Sequence, residues 1–66
     1  MQLLINGEPR AVPPDTTLQS LVRLLDLKED RVAVELNRSI VKRDRWPSTL
    51  LRDHDRLEIV QFVGGG

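Results

Sequence analysis

Two short runs rich in apolar residues, Gln2 to Ile5 and Glu8 to Val12, flank the dipeptide Asn6-Gly7. A two-residue Asn-Gly loop suits a type I′ turn, in which both central positions need positive φ, so the pattern predicts an N-terminal β-hairpin. Pro13-Pro14 ends the second strand, because neither residue has an N–H to give to a ladder. Asp15-Thr16-Thr17 then offers N-cap oxygens, with Thr16 and Thr17 both placed to act. Beyond them the spacing changes to i, i+3, i+4 and i+7 at Leu18, Leu21, Val22 and Leu25, and Leu24 widens the stripe. That period predicts an amphipathic helix with Gln19, Arg23 and Asp26 on its polar face.

Lys28-Glu29-Asp30-Arg31 reads as a loop and Val32 to Leu36 as a strand. Asn37-Arg38-Ser39 forms a turn, Ile40-Val41 a brief edge strand, and the segment through Trp46-Pro47 is irregular. Asp53-His54-Asp55 makes a tight turn before a last strand from Leu57 to Val63. The order β-β-α-β-β-β predicts an α+β fold, a mixed sheet with one helix across one face. In the last strand Leu57, Ile59 and Val63 share one face, yet Val60 and Phe62 on the other are apolar too. Either that strand is central and covered on both sides, or its outer face is an exposed apolar patch. A single helix covers only one face of a sheet, which favours the patch.

Composition narrows the function classes. A chain of 66 residues supports one small core, so residues 1–66 are expected to form a single domain ending in a glycine tail, 64–66. Without Cys there is no disulfide, thiolate metal site or cysteine nucleophile, and one His makes neither a histidine-rich metal site nor an obvious triad. No permanently bound cofactor or metal is expected, and no catalysis by the chain itself. Ten basic residues balance ten acidic ones, which argues against a nucleic-acid partner. Apolar runs do not exceed three residues, far below the ~20 that cross a bilayer, and the N-terminus lacks signal-peptide features. A soluble cytoplasmic protein without a membrane partner is expected.

Three features bear on chemistry. Arg38 to Trp46 is the one basic cluster and holds the only Trp; it reads as a solvated edge able to steer an acidic partner, with Trp46 completing the core. His54, between Asp53 and Asp55, reads as an exposed turn residue rather than a metal ligand. Gly64-Gly65-Gly66, directly after a strand, is the anomaly. Glycines lack Cβ, so such a tail threads a narrow channel, and a terminal carboxylate is ionised at neutral pH and able to attack the α-phosphate of ATP. The resulting acyl-adenylate has AMP as a leaving group that a sulfur nucleophile displaces.

Several pieces, in order, resemble the thiamine-biosynthesis sulfur carrier family, a small ubiquitin-like β-grasp family. They are Leu3-Leu4-Ile5-Asn6-Gly7, the Thr17-Leu18 helix start, Val32-Ala33-Val34-Glu35-Leu36-Asn37, Ile40-Val41-Lys42-Arg43 with Trp46, and Leu57 through Gly66. The resemblance implies a β-grasp fold and a carrier whose Gly66 is adenylated with ATP by a ubiquitin-activating-like adenylyltransferase. A sulfur-donor protein then supplies the sulfur of a thiocarboxylate, which passes to thiazole synthase. Gly64 and Gly65 would thread the partners' active sites, while Val60 and Phe62 would dock on them with Arg43 and Arg45 as a polar rim. The Asn37 to Trp46 segment favours the thiamine type over a molybdopterin-type carrier; a β-grasp module binding nucleotide or RNA would not need the tail. One departure is His54, where the family commonly has Gly, so positive φ is expected to be strained there.

Overall fold

In a computed structural model that describes residues 1–62, Asn6 and Gly7 adopt φ of 50° and 81°, the pair of left-handed positions that a type I′ loop requires. They join β1 (Gln2–Ile5) to β2 (Glu8–Ala11), antiparallel with Ile5 opposite Glu8. Helix α1 (Leu18–Leu24) follows, and its cap is Thr17 rather than Thr16. Thr17 Oγ1 accepts from Ser20 N–H at 3.1 Å while Ser20 Oγ accepts from Thr17 N–H at 2.9 Å, a reciprocal capping box. Thr16 is buried and donates instead to the Pro13 carbonyl at 2.6 Å. The helix ends in a Schellman motif, Leu27 N–H to the Val22 carbonyl and Asp26 N–H to that of Arg23, with Asp26 at φ 58°.

Strands β3 (Val32–Leu36), β4 (Ser39–Ile40) and β5 (Arg56–Gln61) complete a five-stranded mixed sheet in the order β2-β1-β5-β3-β4. Strand β5 is central, parallel to β1 and antiparallel to β3. Leu18, Leu21 and Val22 of the helix pack with Leu3, Val34 and Leu57 of the sheet, all at most 1% exposed. Trp46 is also buried in this core, and its indole N–H donates to the Val41 carbonyl at 2.9 Å. Among the described residues no helix is long and apolar enough to cross a membrane.

Four local expectations need correction. Leu24 is 52% exposed: at 100° per residue it sits about 100° from the centre of the Leu18–Leu21–Val22–Leu25 stripe, beyond the contact with the sheet. Glu29–Arg31 is a 3₁₀ turn rather than a loop, and Arg43–Ser48 is a longer 3₁₀ segment rather than irregular chain. The edge strand is Ser39–Ile40 instead of Ile40-Val41, because the turn contains only Asn37 and Arg38, at φ 49° and 74°. The favoured reading of the last strand holds: β5 is central, and its outer face is open because neighbours within the sheet do not cover it.

Candidate functional site

Strand alternation decides what β5 shows to solvent. Leu57 points into the core and Ile59 packs against it, so Glu58 and Val60 point away from the helix. Val60 is 58% exposed and Phe62, which follows the strand, 57%. Ala33 of β3 lies directly opposite Val60, and on the next outward row Glu35 lies opposite Glu58 and, across its other edge, Ile40. Ile40 is 76% exposed. The open face therefore carries an apolar patch of Ile40, Ala33, Val60 and Phe62, with two carboxylates side by side within it. No element covers this patch among the described residues.

The end of β5 is held in place. Phe62 N–H donates to the Arg31 carbonyl at 2.7 Å, one residue past the last residue of the strand. Val63 and the glycines Gly64, Gly65 and Gly66 lie outside the described residues. Arg43 and Phe62 line one concavity of about 290 Å³, with Lys42, Asp30 and Val41 on its walls. Arg45 does not join them: it borders a different depression, with Ile40, Ser48 and Thr49. The expected rim is thus split, with Arg43 sharing a concavity with Phe62 and Arg45, two residues along the same 3₁₀ segment, bordering another.

The Asp53-His54-Asp55 turn lies at the opposite end of β5. His54 is exposed at φ 70°, the strained conformation that its position implied. Asp53 Oδ1 accepts from Gln2 N–H at 2.6 Å, and this backbone donor holds the carboxyl below the usual aspartate range, helped by His54 and the N-terminal ammonium. His54 Nδ1 lies 3.1 Å from Asp53 Oδ2. Asp55 accepts from Arg52 N–H at 2.7 Å and from Asn37 Nδ2 at 3.0 Å, tying the turn to the β3–β4 loop. Among the described residues no group of His, Asp and Glu is arranged to hold a metal ion. This end braces the fold, whereas Val60 and Phe62 on the open face are left uncovered among the described residues.

Comparison with known proteins gives the family. Residues 3–66 match the model of the ThiS family. The chain belongs to the ThiS family. It is 40% identical over 65 residues to the sulfur carrier protein ThiS of Bacillus subtilis, covering 97% of this chain and 98% of that protein. It is 38% identical over 66 residues to a thiazole synthase of Magnetococcus marinus, a match that takes in all of this chain but only 20% of that protein. The chain therefore spans about a fifth of the length of that thiazole synthase relative. The crystal structure of a thiamine biosynthesis protein, ThiS, from Geobacter metallireducens superposes with a TM-score of 0.86 at 32% identity, covering both chains completely. The five-stranded mixed sheet crossed by one helix is the ubiquitin-like β-grasp of this ThiS family member.

Proposed function

We propose that this ThiS family member is a sulfur carrier for the synthesis of the thiazole of thiamine, acting in the cytoplasm as a protein co-substrate with no catalysis of its own. The observation that carries this reading is that the family match runs through Gly66. The chain works as one domain over residues 1–66, with Gly64-Gly65-Gly66 as its reactive tail.

The chemistry follows from the carboxylate of Gly66. It attacks the α-phosphate of ATP in the active site of a ubiquitin-activating-like adenylyltransferase, and pyrophosphate leaves. Sulfide supplied by a donor protein then attacks the acyl carbon, the bond from that carbon to the AMP oxygen breaks and AMP departs, so that a thiocarboxylate replaces the carboxylate. ATP is consumed by the partner and not held by this chain. Thiazole synthase receives the sulfur; its partnership is supported by the relative of that name, which contains a segment similar to this whole chain. Gly64 and Gly65 have no side chain to obstruct a narrow channel. Val60 and Phe62, both more than half exposed, form the docking patch, with Arg43 beside Phe62 and Arg45 farther round the same edge.

Intact-mass measurement after incubation with ATP, the adenylyltransferase and a sulfur donor tests this reading. The expected product exchanges one oxygen for one sulfur at the last residue. Deleting Gly66 withdraws the carboxylate by ~3.3–3.6 Å and abolishes the exchange, as does appending one residue beyond it. Gly65→Val fails as well, because a β-branched side chain widens the tail. Sulfur transfer by the chain lacking Gly66 would overturn the proposal.

A further inference from the structure

On its open face, strand β5 presents opposite chemistry on the two sides of Leu57. Toward the end of the strand come Glu58, with Glu35 of β3 beside it, and then Val60, with Phe62 beyond. Toward the Asp53-His54-Asp55 turn comes Arg56, whose register partner on β1 is Leu4. Leu3 is buried in the core, so Leu4 points to the open face, and Pro9 of β2 lies opposite it. Leu4, Pro9, His54 and Arg56 border a concavity of about 290 Å³ there. An acid and an apolar projection on one side of Leu57 thus correspond to a base and a hollow with apolar walls on the other. Arg56 and Glu58 are both exposed, and among the described residues neither joins an ion pair, the pairs being Arg23–Glu29 and His54–Asp53.

A surface whose two halves match each other fits a second copy of the same chain, because a two-fold contact sets each half on the other half of its mate. We propose that two copies of this chain associate face to face through their open sheets, with the two-fold axis lying between the sheets and crossing β5 at Leu57. The two β5 strands then run antiparallel over one another. Packed sheets stand ~10 Å apart, a gap that an arginine and a glutamate reaching toward each other close. Arg56 of each copy meets Glu58 of the other, and Glu35 adds to the negative charge it meets. Val60, three residues after Leu57, comes over His54 of the other copy, three residues before it, at the lip of the hollow. A net charge of zero leaves no overall repulsion between copies. Five strands ~4.8 Å apart and about five residues at ~3.3 Å each give a face of roughly 400 Å² per copy, the scale of a weak, reversible pairing. Such a dimer covers Val60 and Phe62, so on the docking reading above it and the partner complexes exclude one another; the association itself does not rest on that reading.

The test is sedimentation equilibrium of the full chain from about 10 µM to about 1 mM, alongside its Arg56→Glu and Glu58→Arg variants. The wild-type mass should rise with concentration from 7.5 kDa toward twice that value. Each single variant sets like charges across the axis and should self-associate at least about tenfold more weakly. An equimolar mixture of the two should associate again, because each contact then joins an acid to a base, and the double variant Arg56→Glu/Glu58→Arg should do so by itself. Rescue of this kind reads the contact rather than the fold, and thermal melts of all three variants should stay within a few degrees of wild type. A wild-type mass that stays at 7.5 kDa throughout would overturn the proposal. So would single variants that associate as tightly as wild type, or the absence of rescue both in the mixture and in the double variant. None of these outcomes touches the sulfur-carrier reading, which the intact-mass measurement decides separately.

Discussion

The side-chain amide of Asn6 grips the backbone of Ile59 on both sides, with Oδ1 accepting from Ile59 N–H at 2.7 Å and Nδ2 donating to the Ile59 carbonyl at 3.1 Å. The amide copies a backbone peptide and prolongs the β1–β5 pairing after β1 has turned away into its hairpin. One residue thus satisfies two demands, since Asn tolerates the φ of 50° that the turn needs. Asn6→Gly keeps the turn and loses both bonds. Urea melts should show a loss of about 1–2 kcal/mol, from two hydrogen bonds at a solvent-exposed site. A change of only a few tenths would mean that the amide adds nothing to the strand pairing.

Leu21 shows no exposed surface and packs on the sheet through the middle of α1. Leu21→Ala should cost about 2–5 kcal/mol, a large part of the stability of a domain this small. Chemical denaturation followed by circular dichroism measures it.

Phe62 has the opposite character, 57% exposed and beyond the last strand residue. Phe62→Asp should leave the thermal melt within a few degrees of wild type while weakening the complexes with the adenylyltransferase and thiazole synthase. A variant that unfolds would place Phe62 in the core and move the docking face elsewhere.

The Asp53 carboxyl is held below its ordinary value by the Gln2 N–H, so its ionised form is favoured in the folded chain. A depressed folded pKa contributes stability above the unfolded value of ~3.9 and loses it as pH falls through the folded one. Asp53→Asn should therefore be less stable than wild type at neutral pH, with the gap closing below about pH 4. Parallel urea melts near pH 6 and pH 3 measure it; a gap of constant size would assign the loss to geometry rather than charge.

His54 sits at φ 70°, where a residue with a Cβ is strained by roughly 1–2 kcal/mol. Glycine relieves the strain and gives back part of the gain as freedom in the unfolded chain, so His54→Gly should stabilise by roughly 0.5–1 kcal/mol. Thermal melts decide the sign.

What could be read from the sequence divides along physical lines. The Asn6-Gly7 loop, the helix from Leu18 and the exposed apolar side of β5 all announce themselves through local spacing, and the structure has them. The 3₁₀ segment Arg43–Ser48 does not, because six residues with one buried side chain, Trp46, present no period to detect. Arg38 at φ 74° carries no compositional signal for a left-handed position. The split of Arg43 from Arg45 and the meeting of Glu35 with Glu58 depend on the course of a 3₁₀ turn and on strand register. Neither is written in any window of the sequence short enough to read.

The place of β5 has a mechanical consequence. A pull applied at Phe62 would act along the axis of a strand paired with β3, which runs against it, from Leu57 to Gln61, and with β1, which runs with it, at Arg56 and Leu57. Tension along that axis loads the flanking hydrogen bonds together in shear, whereas an edge strand would give way one bond at a time, as a zip does. A load applied at Phe62 is thus shared among several bonds of the sheet instead of falling on one at a time.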